Sequence, residues 1–493
     1  MSGPNIPCEL TGIPSIGRSQ TNVDEKHVDL PELRNLAEDL EAGTIARAIA
    51  RPPSIFPFDR LSREIIAEIF WNCLVHDERE IVWMSSGNAP LLLCRVSSSW
   101  RALALTIPQL WASVGVLIRH PNNIDPSICA HVINTWLERS GALPLTVAIE
   151  YTKRNCHDRS RRTNSTILAD VLSVVYSHSS RWKNVAITTW LPVSFPQLKT
   201  LPLLRSFHLQ GFDFISGDSV ISLPFSASPR LTQLSWPYPF EATTPDPRIP
   251  WSQISHLCLT VNMTFFAASE MIRLCPQLEN FTMDLIGENS GDRQPTTVEN
   301  RRLRTLEINA HSDCSPLLDS LVLPKLRELY LVGVPRRGNG RGAFLAFLTR
   351  SNCQLYKLAL VSCAFEPFRE FLEHKSFKCI KELKIDIDPL FTDNELISLT
   401  DFPSPPAPAV LLPKLTQLTL QWCLHASRSK LAEMVLSRRR QRDGHEVEPL
   451  RHLVVSNESL YQGDVDSIKD EVKDGFEADI ETDFTLNENG EVM

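Results

Sequence analysis

The sequence lacks the features of membrane and secreted proteins. No run approaches the roughly 18 apolar residues of a membrane helix, and residues 1–20 hold no basic segment followed by an apolar one. We therefore expect a soluble protein that is neither secreted nor bound to a membrane, located in the cytoplasm, the nucleus or both.

Metal-binding and redox patterns are also missing. The twelve cysteines form no Cys-x-x-Cys pair, and the thirteen histidines do not cluster with cysteine or carboxylate. A zinc site or a redox motif needs such pairing, because its thiolates must meet at one point. The sequence predicts reduced, mostly buried cysteines and no metal site.

Catalytic signatures do not occur. There is no His-Glu-x-x-His motif, phosphate-binding loop, Gly-x-Ser-x-Gly motif or paired-carboxylate signature. Residues 338–342 are glycine-rich but lack the Lys-Ser/Thr and the Gly-x-Gly-x-x-Gly spacing of nucleotide sites, which favours a loop between repeats. We expect a protein that is not an enzyme and that uses no cofactor.

Most of the chain has no excess of one charge sign. Lys and Arg number 50 and Asp and Glu 58, a net charge of -8. Residues 456–493 hold twelve acidic residues and two lysines, a net of -10, which leaves +2 for residues 1–455. The near-neutral part argues against binding to nucleic acid through phosphate contacts. The low apolar content of 456–493 predicts an acidic disordered tail whose deletion leaves folding intact.

The first fifty residues have few apolar anchors. Residues 1–29 are rich in Pro, Gly, Ser and Asn, which predicts a disordered tail. In residues 30–50, apolar side chains recur at three- and four-residue steps as far as Gly43, which predicts a short amphipathic helix. That helix can lie on its own domain or bind a partner.

Residues 55–114 follow a helical pattern and are rich in large apolar groups. Ser62 can cap a helix whose first turn holds Glu64, near the positive end of the helix dipole. The single apolar face predicted for this helix comprises Ile65, Ile66, Ile69 and Phe70. Two or three short helices are too few to bury a large core, so a neighbour or a partner is expected to cover them.

A repeat of the form apolar-x-x-apolar-x-apolar runs through residues 142–455. Eleven copies start 22 to 35 residues apart, and eight of the ten steps lie in the range typical of leucine-rich repeats. The copies are Trp182/Val185/Ile187, Leu204/Phe207/Leu209, Leu231/Leu234/Trp236, Ile254/Leu257/Leu259, Leu278/Phe281/Met283, Leu303/Leu306/Ile308, Leu326/Leu329/Leu331, Leu355/Leu358/Leu360, Ile380/Leu383/Ile385, Leu415/Leu418/Leu420 and Leu450/Leu453/Val455. In such repeats the last apolar-x-apolar pair is a short strand with its apolar residues pointing inward. The sequence therefore predicts an α/β fold, namely a small helical module followed by a leucine-rich-repeat solenoid with a curved parallel sheet of eleven or twelve strands.

Other positions refine this repeat. Asn262, Cys363 and Cys423 occupy the place that bonds the turning backbone after the strand. Ala142/Leu145/Val147 is a candidate capping strand. The two 35-residue steps mark insertions, a proline-rich one at 401–408 and an arginine-rich one at 438–442, and both are expected to be loops at one rim.

The repeat phase predicts which side chains point away from the core. These residues, Asp284 and Asn309 among them, mix both charge signs, so they form no single-sign groove for nucleic acid. A long concave sheet suits a protein ligand, although its scattered side chains do not name one. Tyr330 is the best hot-spot candidate, because aromatic anchors dominate interfaces. The candidates for target binding are His208, His256, Glu307, Tyr330, Lys357, Lys384 and Gln421.

Two basic clusters, at residues 153–162 and 438–442, have several interpretations. Each can contact nucleic acid, act as a nuclear-import signal, bind the acidic tail, or lie in a solvated loop between repeats.

Several short motifs in residues 57–114 occur together in one family. They comprise Pro57, Leu61, Glu64-Ile65-Ile66, Glu68-Ile69-Phe70, the run Ala89 to Val96, the run Trp100 to Ala104, and Pro108-Gln109-Leu110-Trp111. This segment resembles an F-box, in the version abundant in mushroom-forming fungi. Ser62 stands where that family usually has proline, and Ser97 where it usually has a second cysteine.

The resemblance implies a substrate receptor of a cullin-RING ubiquitin ligase. A Skp-type adaptor would bind residues 57–105, and the repeats would capture the target protein for ubiquitination. The residues implied for adaptor binding are Leu61, Glu64, Ile65, Ile66, Ile69, Val96, Trp100 and Leu103. Half of these can instead pack the helices together. Because Ser62 replaces proline at an adaptor-contact position, the alternative is a leucine-rich-repeat interaction scaffold without ligase recruitment.

Overall fold

A computed structural model describes most of the chain after residue 60. The described residues are 61–75, 81–118, 126–151, 161–189, 193, 195, 198–211, 225–237, 249–286, 297–333, 340–363, 365, 368–387, 390–401, 410–439, 447–472 and 476–487. The predicted tail at 1–29 and the predicted helix at 30–50 lie outside them. The chain forms two compact units: unit 1 is residues 1–182 with 188–193, and unit 2 is residues 183–187 with 194–493.

The described chain begins with short helices and continues with strands that are interspersed with helices. The α-helices are α1 (Arg63–Asn72), α2 (Leu91–Val96), α3 (Ser98–Ala104), α4 (Pro126–Arg139), α5 (Arg161–Ser177), α6 (Phe265–Leu274), α7 (Ser315–Ser320), α8 (Gly340–Ser351), α9 (Phe368–Leu372), α10 (Asp393–Leu399), α11 (Lys430–Arg439) and α12 (Gln462–Asp470). The strands are β1 (Ser113–Ile118), β2 (Leu145–Tyr151), β3 (Trp182–Thr188), β4 (Leu198–Thr200), β5 (Ser206–Gln210), β6 (Phe225–Ala227), β7 (Gln233–Trp236), β8 (His256–Met263), β9 (Asn280–Leu285), β10 (Val298–Glu299), β11 (Thr305–Ala310), β12 (Leu321–Val322), β13 (Glu328–Val332), β14 (Lys357–Val361), β15 (Glu382–Asp386), β16 (Phe391–Thr392), β17 (Gln417–Gln421), β18 (Leu424–His425), β19 (His452–Tyr461) and β20 (Glu477–Leu486). Short 3-10 helices lie at Pro108–Trp111, Ser179–Arg181, Trp251–Gln253 and Lys375–Phe377.

One large sheet takes its strands in chain order. It contains fourteen strands, β1-β2-β3-β5-β7-β8-β9-β11-β13-β14-β15-β17-β19-β20. The pairing is parallel, and Leu306 of β11 lies beside Phe281 of β9 on one side and Leu329 of β13 on the other. Parallel neighbours need a crossover, which the intervening helices and short strands provide. The predicted α/β class is confirmed, with a parallel sheet of fourteen strands.

The core of the sheet consists of the apolar residues of the repeat. Each of the eleven copies found in the sequence coincides with a strand of the large sheet. Every inward side chain of these copies is at most 2% exposed. Along β9, burial alternates residue by residue, as expected for a strand with one covered face.

A repeated backbone turn follows four strands of unit 2. Gly333, Ser362, Ile387 and Trp422 adopt left-handed φ angles of 76°, 52°, 67° and 55°. Each donates its backbone N–H to a carbonyl of the next large-sheet strand, at 2.7 to 2.9 Å. A Cβ at Gly333 would lie 2.3 Å from the carbonyl oxygen of Ala310, so the turn after β13 requires glycine. These turns occupy the same place in four copies of the repeat.

The core of unit 1 is built on tryptophan. Trp111 is fully buried, and its ring packs edge-on to Trp136 at 4.9 Å. Its indole Nε1 donates to the carbonyl of Ala104, the last residue of α3, at 2.9 Å. Arg101 Nε donates to the carbonyl of Cys94 in α2 at 2.8 Å. These two bonds join α2, α3 and the 3-10 helix into one small module.

The sheet extends beyond residues 142–455 at both ends. At the start, β1 pairs with β2, with Val114 beside Val147. Trp111, Val114 and Val116 follow the apolar-x-x-apolar-x-apolar pattern and are buried. This copy was missed because Trp111 also belongs to the motif that ends the helical module.

The prediction of a disordered tail at 456–493 is wrong for residues 456–472 and 476–487. This segment contains the end of β19, then α12 and β20, and β20 pairs in parallel with β19. Val465, Ile468 and Phe476 are buried. Asp466 and Asp470 between them are exposed, so a high charge was compatible with folding. Residues 488–493 lie outside the described chain.

The prediction that Arg438 lies in a rim loop is also wrong. Arg438 belongs to α11 and is 2% exposed. Its guanidinium donates to the carbonyls of Leu399 at 2.7 Å, Leu412 at 3.1 Å and Leu411 at 2.7 Å. A planar group with five N–H donors is well suited to bind three carbonyls at once. Residues 440–446, the proline-rich stretch 402–409 and the basic residues at 152–160 lie outside the described chain.

Candidate functional sites

Two surfaces carry the candidate residues, one in each unit. We call the exposed apolar residues Leu61, Ile65, Ile69, Leu92 and Val96 the helical surface. We call the side of the large sheet that faces away from the core, from β5 to β20, the open face.

Serine caps position the helices of the helical surface. The Ser62 hydroxyl accepts a hydrogen bond from the backbone N–H of Ile65 at 3.5 Å, which confirms the predicted cap of α1. The pKa of Glu64 lies below its usual value, because its own backbone N–H and the Ser62 hydroxyl hydrogen-bond to the carboxylate. The Ser97 hydroxyl caps α3 by accepting from the N–H of Trp100 at 3.1 Å. Both serines that depart from the F-box pattern therefore begin helices.

The apolar residues of α1 occupy two rows rather than the single predicted face. Ile66 and Phe70 are 4% and 0% exposed and pack inside unit 1. Leu61, Ile65 and Ile69 are 38%, 50% and 37% exposed. A four-residue step places Ile65 and Ile69 on one side of α1 and Ile66 and Phe70 on another, while Leu61 lies just before the capping residue Ser62. Ile66 is therefore a core residue of unit 1, which leaves little of its side chain for an adaptor, and its role in adaptor binding stays a prediction.

The remaining adaptor candidates lie on α2 and α3. Val96 is 54% exposed, and Leu92, one turn earlier, is 45% exposed. Trp100 is half-buried, with its ring 5.1 Å from that of Phe70, so it joins α3 to α1. Leu103 is half-buried. Of these candidates, Val96 is the one whose side chain is mainly free of the module's own packing.

Exposed apolar side chains are concentrated in this module. Thirteen large hydrophobic side chains in the described chain are exposed, and seven of them lie between Leu61 and Val96. Trp71 at 41% and Val75 at 55% belong to this group and were missed by sequence reasoning, although they too are four residues apart. Exposed apolar side chains clustered in this way mark interaction sites.

The strand register arranges the open face in rows that cross the strands. One row is Ser206, Gln233, His256, Asn280, Thr305, Glu328, Lys357, Glu382, Gln417, His452 and Glu477. The next row is His208, Ser235, Cys258, Thr282, Glu307, Tyr330, Ala359, Lys384, Thr419, Val454 and Asp479. Gln421, at the end of β17, lies beside Ser456 in a third row. The register therefore brings Glu307 and Tyr330 together but leaves His208 and Gln421 apart from them.

Tyr330 lies in a polar network with charged neighbours. Its hydroxyl donates to Glu328 Oε2 at 3.4 Å, and Lys357 Nζ lies 5.7 Å from its ring centroid. Lys357 forms an ion pair with Glu382 at 2.7 Å. Burial raises the pKa of Tyr330. Burial disfavours the charge of Lys357, but the bond to Glu382 and the contact with Tyr330 outweigh it and raise the pKa of Lys357.

His256 is held at the edge of the open face. Its Nδ1 lies 2.9 Å from the Ser255 hydroxyl, and burial lowers the pKa of its imidazole. Cys258, two residues along β8, has its pKa raised to about 11 by burial. A neutral imidazole and a protonated thiol leave this part of the face uncharged.

The acidic cluster of the open face comprises Asp284 and Glu307, with Thr282 and Asn309 as their polar neighbours. The Thr282 hydroxyl donates to Glu307 Oε2 at 3.2 Å, and Asn309 Nδ2 donates to Asp284 Oδ1 at 2.7 Å. Burial raises the pKa of both carboxyls. Sequence reasoning placed Asp284 and Asn309 on this face but not among the target candidates, because their burial depends on neighbouring strands.

The described residues contain neither a metal-binding cluster nor a membrane-spanning helix. No group of three His, Cys, Asp or Glu side chains there could hold a metal ion. No helix there is long and apolar enough to cross a membrane.

Comparison with known proteins adds no assignment. No protein-family model matches the chain, and no curated protein is similar to it.

Proposed function

We propose that this chain is the substrate-recognition subunit of a Skp-cullin-F-box ubiquitin ligase. Residues 55–114 act as the F-box that binds a Skp-type adaptor, and a leucine-rich-repeat array binds a target protein. The observation that carries the proposal is the helical surface, an exposed row of Leu61, Ile65 and Ile69 on a module whose sequence resembles an F-box. Such a receptor has no catalytic role and acts in the cytoplasm or the nucleus.

The exposed row has the energetic character of a binding surface. Full burial of a Leu or Ile side chain stabilises a protein by about 1.5 to 3 kcal/mol. Leu61, Ile65 and Ile69 keep 37% to 50% of their surface exposed, so a partner that covers them gains roughly 1 kcal/mol from each. Helix α1 already buries Ile66 and Phe70, so this second row is available for another protein.

The repeat interpretation rests on features beyond the apolar pattern. Cys363 Sγ donates to the carbonyl of Leu331 at 3.3 Å, and Cys423 Sγ donates to the carbonyl of Ile385 at 3.7 Å. In each case the thiol at the repeat's Asn-or-Cys position bonds the backbone of the preceding strand. Together with the left-handed turns, these bonds support a leucine-rich-repeat array whose open face binds the target.

The competing function is an interaction scaffold that no longer recruits an adaptor. The replacement of proline by Ser62 motivates it. Ser62 caps α1, however, so the helix begins at the expected residue in spite of the replacement. This observation favours a module that still binds its adaptor.

Co-purification of the full chain with a Skp-type adaptor tests the proposal. We expect the wild type to retain the adaptor and Ile65→Asp to lose it. Ile397→Asp is the matched control, because Ile397 is an exposed isoleucine on helix α10 of unit 2, with 38% exposure. Ile66→Asp is unsuitable, because a buried charge would unfold the module.

The contrary outcome is equally specific. If the wild type retains no adaptor and Ser62→Pro does not restore retention, the receptor function is wrong and the scaffold function remains. Equal loss with Ile65→Asp and Ile397→Asp would assign the effect to general destabilisation and contradict the helical surface as the binding site.

A further inference from the structure

A polar and partly enclosed region of the open face lies on β9 and β11. Glu307 and Asn309 are 8% and 7% exposed, although both point to the face that carries half-exposed side chains elsewhere. Burial of a glutamate on this face means that neighbouring side chains surround it. We call the acidic cluster, with the enclosed Glu307 and Asn309 and the half-buried Asp284, the recess.

The recess offers hydrogen-bond acceptors without matching donors. Asn309 directs Nδ2 to Asp284, which fixes the orientation of its amide, and its Oδ1 has no hydrogen-bond partner among the described residues. Thr282 supplies the donor to Glu307. The reverse amide orientation would set Oδ1 against the carboxylate of Asp284. The carbonyl oxygen of Asn309 is thus a buried acceptor without a donor among the described residues.

No basic side chain of the described chain forms an ion pair with the recess. Neither Asp284 nor Glu307 lies within 4.0 Å of a Lys, Arg or His nitrogen there, and the positive group that acts on Asp284 is the exposed His311. A carboxylate enclosed without a cation is unfavourable, and a buried amide oxygen without a donor adds to the cost. A cationic group with several N–H donors would relieve both.

The same row of the open face carries a lysine three strands away from Glu307. Successive strands place Glu307, Tyr330, Ala359 and Lys384 side by side. Three strand steps of about 4.8 Å separate Glu307 from Lys384 by roughly 14 Å. An extended peptide spans that distance in about four residues. Lys384 has no carboxylate within 4.0 Å in the described chain, and the small side chain of Ala359 leaves room beside Tyr330.

We propose that the open face captures a target segment bearing a Lys or Arg side chain and, about four residues from it, an Asp or Glu side chain. The cation enters the recess of Asp284, Glu307 and Asn309, and the anion pairs with Lys384. The segment between them crosses Tyr330 and Ala359. This inference concerns target binding and rests on the proposed function in one respect, namely that the captured segment belongs to a target of the ligase.

Selection from a phage-displayed library of random dodecapeptides on the immobilised full chain tests the proposal. We expect the wild type to enrich peptides in which a basic and an acidic residue are about four positions apart. Glu307→Gln combined with Asp284→Asn removes the two charges while keeping the side-chain shapes, and should lower the preference for the basic residue at least tenfold. Lys384→Glu should convert the acidic preference into a basic one.

The control is Lys325→Glu, which makes the same charge change at an exposed turn residue before β13. It should leave the enriched peptides as in the wild type. Peptide affinities, measured by fluorescence polarisation with each variant's melting temperature in parallel, separate lost binding from lost folding. The proposal would be overturned if the wild type enriched no peptides, or enriched peptides without the paired charges. It would also be overturned if the preference for a basic residue persisted in the variant with Glu307→Gln and Asp284→Asn.

The adaptor assay keeps the two claims apart. The neutral double variant should co-purify with the adaptor as the wild type does, and Ile65→Asp should enrich the same peptides as the wild type. If the chain selects paired-charge peptides but does not bind the adaptor, the recess is supported as a binding site and the ligase-receptor function is refuted. Adaptor binding without paired-charge peptides would refute the recess alone.

Discussion

Single buried charges have opposite roles in different parts of unit 2. Arg438 is satisfied by the carbonyls of Leu399, Leu411 and Leu412, and burial lowers its pKa to about 10, so it stays charged at neutral pH. Glu307 is buried and Asp284 is half-buried, and neither has a basic partner within 4.0 Å in the described chain. The Arg438 guanidinium therefore stabilises the fold, whereas the charges of Asp284 and Glu307 lower the stability of the fold. This contrast is the residue-scale argument for assigning a ligand to the acidic cluster.

Replacing Arg438 with alanine should destabilise the chain strongly. Three carbonyls would lose their donor, and the side chain's packing would be lost with them. We expect the free energy of unfolding to fall by about 3 kcal/mol or more. Urea unfolding followed by circular dichroism measures this, with the exposed Arg302→Ala as the control. A loss of unfolding free energy no larger than that of the control would contradict the stabilising role of Arg438.

Neutralising the acidic cluster should have the opposite effect. Glu307→Gln with Asp284→Asn is expected to stabilise the chain at pH 7.5 by about 1 kcal/mol or more, because two unpaired buried charges are removed. The exposed Asp319→Asn serves as the control. Urea midpoints from pH 3 to pH 8 would measure the effect.

The sign of the pH dependence follows from the pKa shifts. In the folded chain both carboxyls ionise above their ordinary values of 4.5 and 3.8, so between the ordinary and the raised pKa the folded state binds more protons than the unfolded state. Wild-type stability therefore falls as the pH rises through that window. The advantage of the variant should be full above the raised pKa values and vanish below the ordinary ones. An advantage that grows as the pH falls would contradict the assignment.

At the scale of elements, the strands were largely predictable and the chain ends were not. Leucine-type residues at fixed spacing identified eleven strands, because each must bury two side chains in the same phase. Strand β20 was not predicted because Ala478 stands where most repeats have a large apolar residue. The acidic residues Glu477, Asp479 and Glu481 occupy the alternate positions of this strand. Its period-two alternation was the available signal.

Tertiary partners explain the rest of the failure in the tail. Asp464 is buried, and its carboxylate accepts from the backbone N–H groups of Ser429 at 3.1 Å and Ala432 at 3.3 Å, at the start of α11. Asn457 bonds both the N–H and the carbonyl of Leu424. Such bonds join segments more than thirty residues apart, so sequence reasoning counted Asp464 as a solvated charge. The burial of Glu307 was equally hidden, because residues on other strands cause it.

Deleting residues 462–493 should therefore destabilise the chain. Removal of α12 and β20 eliminates the buried side chains of Val465, Ile468 and Phe476, which contribute on the order of 5 kcal/mol together. Deletion of residues 488–493 alone is the control and should leave the melting temperature unchanged. Identical melting of the two truncated chains would mean that α12 and β20 contribute nothing to the fold.

At the scale of the whole molecule, the cysteines are distributed over both units, and their burial shows where the interior is closely packed. Seven of the ten cysteines of the described chain are buried. Burial raises the pKa of Cys258 and Cys353 to about 11 and of Cys275 and Cys314 to about 12.

These four thiols should resist alkylation in the folded protein. At pH 7.5 their thiolate fraction is below about one in a thousand, and their sulfur atoms are largely shielded. A maleimide reagent should label the exposed Cys73 in minutes and the four only after urea is added. Peptide mass mapping of the labelled chain gives the result. Rapid labelling of all four without urea would contradict a packed array.

The central claim is that adaptor and target bind to separate surfaces, the helical surface of unit 1 and the open face of unit 2. Isothermal titration of a purified Skp-type adaptor into the full chain tests it most directly. The account predicts binding by the wild type, a loss of at least tenfold in affinity with Ile65→Asp, and an unchanged affinity with Glu307→Gln combined with Asp284→Asn. Absence of wild-type binding, or an Ile65→Asp affinity equal to that of the wild type, would contradict it.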